Sequence, residues 1–387
     1  MKKLFSLFII LISVLSNLQA QTPDNDNFVV THGPWLQNLD QTGVTIMWTT
    51  NKPAVPGIML TLPDGTQKLV RNSTDGIINA GGTLQKVRID GLQPGTSYKY
   101  SLHSVQIMKY QAYKVYYGDT LVRKAETFVT PSPAAEKVAF TIYNDVHELS
   151  GKIGTYFRLR STAEQDFYFL NGDLVDYLQN TDQLFPGFID TAVYYFAAKK
   201  PFYYSRGNHE TRGYLARELK DYFDYPNNRF YNSFDVGPVH FVVLDCGEDK
   251  PDNNRYYYGL ADYDRYRQEE LEWLKNEIKS AAFKNAKYRI VLVHIPIIKQ
   301  EKQGWGAAFL AENFGPVLKD ARIDLMISAH THRYALYGKD KTGFNYPLLV
   351  NSNNSFVEVL ADQSGIKATV KDLTGKVLGE YKSASTH

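Results

Sequence analysis

The stretch Ser205-Arg-Gly-Asn-His-Glu210 comes directly after the apolar run Pro201-Phe-Tyr-Tyr204, and it decides how the rest of the chain is interpreted. An amide, an imidazole and a carboxylate occupy consecutive positions after a glycine, and these groups bind metals and transfer protons. Alone, this string is a weak signal. Its meaning therefore depends on whether other apolar runs end in similar groups.

Other apolar runs in the second part of the chain also end in polar groups. They lead to Asp145-Val-His147, to Gly172-Asp-Leu-Val-Asp176, to His294 and to His330-Thr-His332. In a parallel sheet, the groups just beyond the carboxyl ends of the strands converge on one crevice. The set holds imidazoles, carboxylates and one amide but no thiolate, which suits hard or borderline divalent metals. The number of ligands indicates two ions.

The pattern around these runs predicts an α/β domain at residues 136–383. Apolar runs alternate with helical stretches, of which 263–283 is the clearest because apolar residues recur there at helical spacing. The tail from 347 to 381 returns to short strands joined by turns. We therefore expect two mixed sheets flanked by helices.

Residues 27–130 predict a different architecture, an all-β sandwich. Short strand candidates are separated by turn residues, and no convincing helical pattern interrupts them. The string Leu92-Gln-Pro-Gly-Thr-Ser-Tyr98, together with Trp48 on an early strand, resembles fibronectin type III domains. That resemblance implies that the Tyr98 hydroxyl bonds back to the nearby backbone. The prolines within 130–135 mark the linker to the second domain.

The composition allows a large buried core and disfavours some functions. The chain has 387 residues, of which 43% are hydrophobic, so two domains are expected. The 43 Lys and Arg residues, less Lys2 and Lys3, leave 41 basic against 41 acidic groups, so binding of nucleic acid by a basic surface is not favoured. Cys246 is the only cysteine, so no internal disulfide forms.

The segment 1–20 predicts a signal peptide for export. Lys2 and Lys3 precede an apolar run at 4–15, and small and polar residues then lead to Ala20. Cleavage after Ala20 would give a secreted or periplasmic protein, whereas an uncleaved signal anchor is the alternative. The apolar run is short for a bilayer span and no later stretch is long and apolar enough, so no transmembrane anchor is expected. The oligomeric state stays open.

In chain order the polar motifs are Asp-x-His, Gly-Asp-x-x-Asp, Gly-Asn-His-Glu, a single His and His-x-His. This ordered set resembles the calcineurin-like metallophosphoesterases across about residues 136–383. The resemblance implies a dinuclear-metal phosphoesterase for small phosphorylated substrates, which cleaves phosphate mono- or diesters by attack of a metal-bound hydroxide. The expected cofactors are two divalent metal ions, with Mn, Zn and Fe as candidates.

The resemblance also implies roles for individual residues. The first metal would be bound by Asp145, His147 and His332 and the second by Asn208, His294 and His330, with Asp173 bridging both. His209 would stay unligated and protonate the leaving group.

Neighbouring residues receive supporting roles. Asp176 and Glu210 are interpreted as groups that orient the ligand imidazoles. Arg206 and Arg333 flank the metal loops, where each either holds phosphate or pairs with a carboxylate. Tyr334 is a further candidate substrate contact, equally open to another role.

The N-terminal region adds a second resemblance. With Gly33-Pro-Trp35 near its start, it is similar to the region that precedes the metal domain in purple acid phosphatases. That subfamily usually places a tyrosine at the position of Asp176, and its phenolate on ferric iron gives the colour. Asp176 and His147 therefore predict a colourless enzyme. Ala329 stands where the family usually has glycine, and it is tolerated if its φ is negative.

Two questions stay open in the sequence. The choice between monoesters and diesters depends on loops, here at 148–156, 177–188, 247–258 and 299–309. The alternative to an enzyme is a non-catalytic binding or adhesion protein that uses the β-sandwich for contact. It predicts the loss of a metal ligand or of His209, and none of these residues is missing.

Overall fold

The structure is a computed structural model that describes residues 27–161 and 164–384. The predicted signal peptide at 1–20 lies outside the described residues. Among the helices of the described part, none combines the length and the apolar character that crossing a membrane requires.

The N-terminal region consists of strands, as its alternating pattern predicts. Its strands are β1 Val30–Gln37, β2 Gly43–Thr50, β3 Ala54–Val55, β4 Ile58–Thr61, β5 Gln67–Val70, β6 Ser73–Thr74, β7 Ile77–Ile78, β8 Leu84–Asp90, β9 Ser97–Gln111, β10 Lys114–Val122 and β11 Glu126–Val129. One sheet has the order β1-β2-β8. The other has the order β10-β9-β4-β5, with β3 and β11 also paired to β9, and β6 pairs with β7 alone.

An apolar core lies between the two larger sheets of this region. Trp48 of β2, Val87 of β8 and Phe128 of β11 are buried in it. The Tyr98 hydroxyl accepts a 2.7 Å hydrogen bond from the Gln93 backbone N–H, which fixes the turn that leads into β9. The fibronectin type III resemblance implies this contact, and the assignment to that domain type stays a prediction.

The second part of the chain forms two mixed sheets, which confirms the predicted fold class. Its strands are β12 Val138–Tyr143, β13 Phe167–Asn171, β14 Phe202–Ser205, β15 Asn232–Val236, β16 Val239–Leu244, β17 Tyr288–Val293, β18 Leu325–Ser328, β19 Ala335–Tyr337, β20 Leu348–Val350, β21 Ser355–Asp362, β22 Gly365–Asp372 and β23 Val377–Ala384. The strand orders are β14-β13-β12-β21-β22-β23 and β15-β16-β17-β18-β20-β19. Strands β12 to β14 are parallel, and so are β16, β17, β18 and β20.

Helices flank these sheets. An apolar core that contains Phe140 and Phe241 lies between the two sheets. The helices include Gly151–Leu159, Tyr263–Glu277, Ala281–Asn285, Trp305–Lys319 and Lys339–Thr342, and a helical segment spans 185–197. The helix predicted at 263–283 is divided in two. The Ser280 hydroxyl accepts a 3.0 Å hydrogen bond from the Phe283 N–H and thereby caps the second, shorter helix.

The N-terminal region packs directly on the second part of the chain. Trp35 of β1 is fully buried in the same apolar cluster as Phe185 and Phe202. The Gln37 side-chain amide donates a 2.9 Å hydrogen bond to the Phe202 carbonyl, and the Tyr100 hydroxyl donates one of 2.7 Å to the Ala198 carbonyl. Because β14 begins at Phe202, these contacts support the strand that leads into the Gly-Asn-His-Glu turn.

Candidate metal centre

The predicted metal ligands lie just beyond the carboxyl ends of parallel strands. Strand β12 leads to Asp145, β13 to Asp173, β14 to Asn208, β17 to His294 and β18 to His330. The Asn171 side-chain amide at the end of β13 donates a hydrogen bond of 3.3 Å to the Val293 carbonyl at the end of β17. The carboxyl edges of the two sheets therefore meet at the site, as an α/β architecture allows.

Left-handed backbone conformations concentrate in these loops. Positive φ angles occur at Asp145 (48°), His147 (51°), Asp173 (51°), His330 (68°) and His332 (58°). Residues other than glycine rarely adopt such angles, which cost about 1 to 3 kcal/mol each and cluster at functional sites. Ala329 does not adopt a positive φ, so the alanine is accommodated without this strain.

Two glycines let the ligand loops approach one another closely. Gly172 has φ of 76°, and a Cβ placed on it would lie 2.5 Å from Nδ1 of His294. A Cβ on Gly207 would lie 2.6 Å from the backbone nitrogen of Asp173 and would collide with its carboxylate. A larger side chain at either position would force the ligands apart.

The first cluster consists of Asp145, His147 and His332. Nε2 of His332 lies 3.1 Å from Oδ1 of Asp145 and 3.2 Å from Nε2 of His147. His147 donates its Nδ1–H to Oδ1 of Asp176 at 2.7 Å, so its Nε2 stays available to the cluster. Asp176 thus contacts one of the imidazoles that it is predicted to orient.

The second cluster consists of Asp173, His294 and His330. Asn208 follows the end of β14, the strand after the one that leads to Asp173. One ligand atom from each of the first three residues lies within 4.8 Å of the others. His294 donates its Nδ1–H to the Asn171 carbonyl at 2.8 Å and directs Nε2 towards Oδ2 of Asp173 at 3.0 Å.

Several buried ligand atoms at the clusters lack a hydrogen-bond partner among the described residues. They are Oδ1 of Asp145, Oδ1 of Asn208, Nε2 of His294 and Nδ1 of His330. Leaving a buried polar atom unpaired costs about 1 to 3 kcal/mol, so such atoms are uncommon without a reason. A cation bound to each cluster would satisfy them, and the donor set of oxygen and imidazole nitrogen suits a divalent ion. The residues present therefore fit two metal ions.

The electrostatics of the second cluster are dominated by one ion pair. Burial by itself raises the pKa of Asp173, but the charge of His294 outweighs burial and lowers that pKa well below its usual range. Burial disfavours charge on His294, yet Asp173 raises the pKa of its imidazole to about 10. Burial and the His294 charge together lower the pKa of His330 to about 4. A divalent ion would replace the His294 proton as the charge that compensates Asp173.

His209 lies at the edge of the clusters and is partly exposed. Its backbone N–H donates to Oδ1 of Asp173 at 3.0 Å, and its Nδ1–H donates to the Asp176 carbonyl at 2.8 Å. Nε2 is consequently the ring nitrogen that faces the site, and it lies 4.0 Å from Oδ2 of Asp173 and 3.4 Å from Nη1 of Arg212. A third group consists of His147, Asp176 and His209. One ligand atom of each lies within 4.8 Å of the others, so a single ion could contact all three. Because Nδ1 of both imidazoles already donates a hydrogen bond, we interpret that group as support for the first cluster.

Glu210 is fully buried, and its role differs from the predicted one. Its carboxylate accepts hydrogen bonds from the backbone N–H groups of Asp173 (3.0 Å), Leu174 (2.8 Å) and Gly207 (2.7 Å). Burial and the neighbouring Asp173 raise the pKa of this carboxyl. Glu210 therefore ties two ligand loops together through their backbones and does not orient an imidazole.

Arg206 and Tyr334 differ from their predicted roles as substrate contacts. Arg206 is buried, its Nε lies 2.9 Å from both carboxylate oxygens of Asp245, and its guanidinium lies 3.9 Å from the centre of the Phe230 ring. The carboxylate pairing that the sequence left open is thus the one observed. The Tyr334 hydroxyl packs against Gly379 of β23, the edge strand of the first sheet.

Arg333 and Arg212 are the arginines close to the clusters. Arg333 is exposed and borders a cavity together with His330. Arg212, which the sequence reasoning missed, places Nη1 3.4 Å from Nε2 of His209 and is held by Glu248 through two contacts of 2.9 Å. Its position three residues after His209 in the same turn was the available signal.

Comparisons with known proteins agree with this fold and site. The family model "Calcineurin-like phosphoesterase" matches residues 138–334. Purple acid phosphatase 22 of Arabidopsis thaliana is 27% identical over 286 residues, which cover 68% of this chain and 61% of the relative. Probable purple acid phosphatase 20 of the same plant is 23% identical over 339 residues, covering 79% of this chain and 69% of the relative. This chain therefore spans about three fifths to two thirds of the length of these curated relatives.

A solved structure shows the same fold over most of the chain. The purple acid phosphatase PPD1 from seeds of yellow lupin, Lupinus luteus, superposes with a TM-score of 0.66 at 14% identity. The match covers 91% of this chain and 74% of the lupin protein, and it therefore includes the N-terminal strands. The family model spans half of the chain and contains every predicted metal ligand, and the chain belongs to the calcineurin-like phosphoesterase family.

Proposed function

We propose that the protein is an exported, metal-dependent phosphoesterase that hydrolyses phosphate mono- or diesters. The observation that carries this proposal is the set of buried, unpartnered ligand atoms at two converging clusters. Two divalent ions bound there would polarise the phosphoryl oxygens and make a water molecule more acidic. We propose the first cluster and Asp173 as ligands of one ion, and Asn208 with the second cluster as ligands of the other.

His209 supplies the proton for the leaving group in this proposal. The Asp176 carbonyl holds Nδ1–H, so Nε2 is the ring atom that meets an incoming ester. Water adds to phosphorus, the bond from phosphorus to the leaving oxygen breaks, and the imidazolium form of His209 passes its Nε2 proton to that oxygen. The proton that the water loses then restores the proton of His209. No covalent intermediate with the protein is required.

Other residues orient the ligands and the substrate. The Asn144 side-chain amide donates a 2.7 Å hydrogen bond to Oδ2 of Asp145, and the His330 N–H donates to the same oxygen at 3.2 Å. Oδ1 is thereby left as the atom for the metal. The exposed guanidinium of Arg333 is the group that we propose contacts a phosphoryl oxygen.

The proposal of export and of two domains rests on the sequence. The segment 1–20 has the pattern of a signal peptide. We propose boundaries at 27–130 for a fibronectin type III-like sandwich and at 136–383 for the phosphoesterase domain. The secreted or periplasmic location is checked by determining the N-terminal residue of the protein recovered from the producing cells, which should be Gln21.

A direct assay tests the proposed activity. Purified protein is loaded with Mn²⁺, Zn²⁺ or Fe²⁺ and given para-nitrophenyl phosphate or bis(para-nitrophenyl) phosphate. We expect hydrolysis of at least one ester, loss of activity after chelation and recovery after reloading, with about two ions per chain by elemental analysis. Absence of hydrolysis of both esters with every metal would instead support the non-catalytic alternative.

A further inference from the structure

A cavity of about 390 Å³ opens beside the second cluster. It is bordered by His330, Thr331 and Arg333, which follow β18, and by residues at the start of the helix Trp305–Lys319. Ligand pockets range from about 300 to 1,000 Å³, so this cavity is at the small end. It is large enough for a ring-sized group, since an apolar cavity of about 150 Å³ already holds benzene.

The walls of the cavity are mostly apolar, with a few neutral polar groups. Apolar surface comes from Pro296, Ile298, Ala307, Ala335 and Val350. Gln300 and Gln303 add side-chain amides, which donate and accept hydrogen bonds without carrying charge. This combination favours an organic ring that carries polar but uncharged substituents.

Little unpaired charge faces the cavity. The Asp249 carboxylate pairs with Nζ of Lys250 at 2.5 Å and lies 3.4 Å from Nη2 of Arg212. Arg333 is the remaining cation in the lining, and its guanidinium forms no ion pair with another residue of the described ranges. A strongly ionic substituent, such as a second phosphate, would find one counter-charge here and would lose most of its hydration.

The cavity and the proposed proton donor border different parts of the site. His330 lines the cavity, whereas His209 does not. The ring of His209 lies instead 5.0 Å from that of His147 of the first cluster, and its Nδ1 bonds to Asp176. The leaving oxygen takes its proton from His209, so the leaving group lies on the His209 side. The cavity is then free for a second substituent on phosphorus, which a monoester lacks.

We infer that the preferred substrate is a phosphodiester and that this cavity holds the uncharged, ring-sized substituent that stays on phosphorus. The inference rests on the proposed phosphoesterase function. Water adds to phosphorus, the ester bond next to His209 breaks, and the alcohol leaves with the His209 proton, which the proton lost by the water replaces. The second ester bond stays intact, so the products are one alcohol and one phosphomonoester, whose organic group occupies the cavity.

Binding of phosphonates tests the cavity without any turnover. Phenylphosphonate carries a ring on phosphorus through a bond that is not hydrolysed, and methylphosphonate is its matched small analogue. With the metal-loaded protein, calorimetry should give a dissociation constant at least about tenfold lower for phenylphosphonate, because the ring enters an apolar cavity. Equal dissociation constants for the two phosphonates would overturn the inference.

Cavity-filling variants locate the effect. Ala307→Phe should remove most of the preference for phenylphosphonate, because the added ring occupies the cavity. Ala308→Phe is the matched control, since Ala308 lies on the same helix and does not line the cavity, and it should keep the preference. Ala335→Leu fills the cavity from β19. If thermal unfolding shows that Ala307→Phe is poorly folded, the preference for phenylphosphonate is measured in Ala335→Leu instead. A preference that persists in the filled variants contradicts the inference.

Hydrolysis of two diesters separates this inference from the proposed function. Bis(para-nitrophenyl) phosphate and methyl para-nitrophenyl phosphate share a leaving group and differ in the retained one. The ratio of their kcat/KM values should fall about tenfold from wild type to Ala307→Phe, a comparison that cancels intrinsic reactivity. If esters are hydrolysed but this ratio is unchanged, the inference fails and the proposed function stands. If no ester is hydrolysed, the proposed function fails.

Discussion

His209 occupies a place where its two ring nitrogens have different surroundings. Nδ1 bonds to a backbone carbonyl, whereas Nε2 lies 4.0 Å from the Asp173 carboxylate of the second cluster and 3.4 Å from Nη1 of Arg212. We therefore expect His209→Gln to lower kcat about 100- to 10,000-fold, the usual contribution of a general acid. The metal content should not change, because His209 is outside both proposed ligand sets. Steady-state kinetics measure kcat, and elemental analysis measures the metal content. His103→Gln on β9 is the control. Unchanged turnover in His209→Gln would show that His209 has no part in the mechanism.

Asp173 is predicted to bridge the two metal ions, and replacing its carboxylate with the neutral amide of asparagine tests this role. Its carboxyl is buried and its pKa is held low by His294, so it is ionised when a metal arrives. Asp173→Asn removes that charge while keeping the shape, and we expect metal content to fall from about two ions per chain to less than one. Asp182→Asn, an exposed change in a nearby loop, should keep both ions. Two ions retained in Asp173→Asn would rule out the bridging role.

Single residues also show what the sequence could and could not predict. The convergence of the proposed ligands could be predicted because each is a metal-binding residue type at the end of an apolar run, and strand ends converge in this fold. The partner of Arg206 was not accessible, since Asp245 lies 39 positions away and no local pattern links the two. Glu210 was misassigned for a similar reason. A carboxylate beside histidines suggests contact with imidazoles, whereas its backbone partners depend on how two loops are folded together.

At the scale of elements, His240 links β16 to the helix Tyr263–Glu277. Its Nδ1 lies 2.7 Å from Asp235 and its Nε2 lies 2.9 Å from Glu277, and these carboxylates raise the pKa of the imidazole to about 9 despite burial. The unfolded pKa is about 6.5. The stabilisation by the proton is therefore complete below about pH 6.5 and is lost as the pH rises through about 9.

A pH series on His240→Gln measures this link. We expect the variant to lower the free energy of unfolding by about 1 to 2 kcal/mol more at pH 6 than at pH 10, after allowance for screening by solvent around the exposed Asp235. Urea denaturation at the two pH values gives the difference. An equal loss at both pH values would mean that His240 acts through packing alone.

The helical elements show where periodicity stops being informative. The spacing of apolar residues correctly predicts a helix that begins at Tyr263. It does not reveal that this helix ends before Ser280, because Phe283 of the short second helix continues nearly the same apolar spacing. In the structure, the Ser280 hydroxyl caps the second helix and so marks where it begins. A serine three residues before a buried phenylalanine was the sequence signal that a new helix begins.

At the scale of the whole molecule, the N-terminal strands and the α/β part of the chain share buried surface. Trp35 of β1 is fully buried, and its ring centre lies 5.9 Å from that of Phe185 in an edge-on contact. Beside it, His32 stacks on the same phenylalanine at 4.0 Å and pairs with Asp190. The sequence predicted two regions with separate patterns, and it contained no periodicity that specifies how one region packs on the other.

This shared core predicts that the two parts unfold together. Trp35→Ala leaves a cavity between them, so the free energy of unfolding should fall by about 3 to 5 kcal/mol. Denaturation followed by both tryptophan fluorescence and circular dichroism should give one coincident transition in the wild type. Tyr113→Ala, at a fully exposed position in the turn between β9 and β10, is the matched aromatic control and should change stability by less than about 0.5 kcal/mol. A loss below about 1 kcal/mol in Trp35→Ala, or two separate wild-type transitions, would show that the N-terminal strands are energetically independent of the part of the chain that carries the proposed metal ligands.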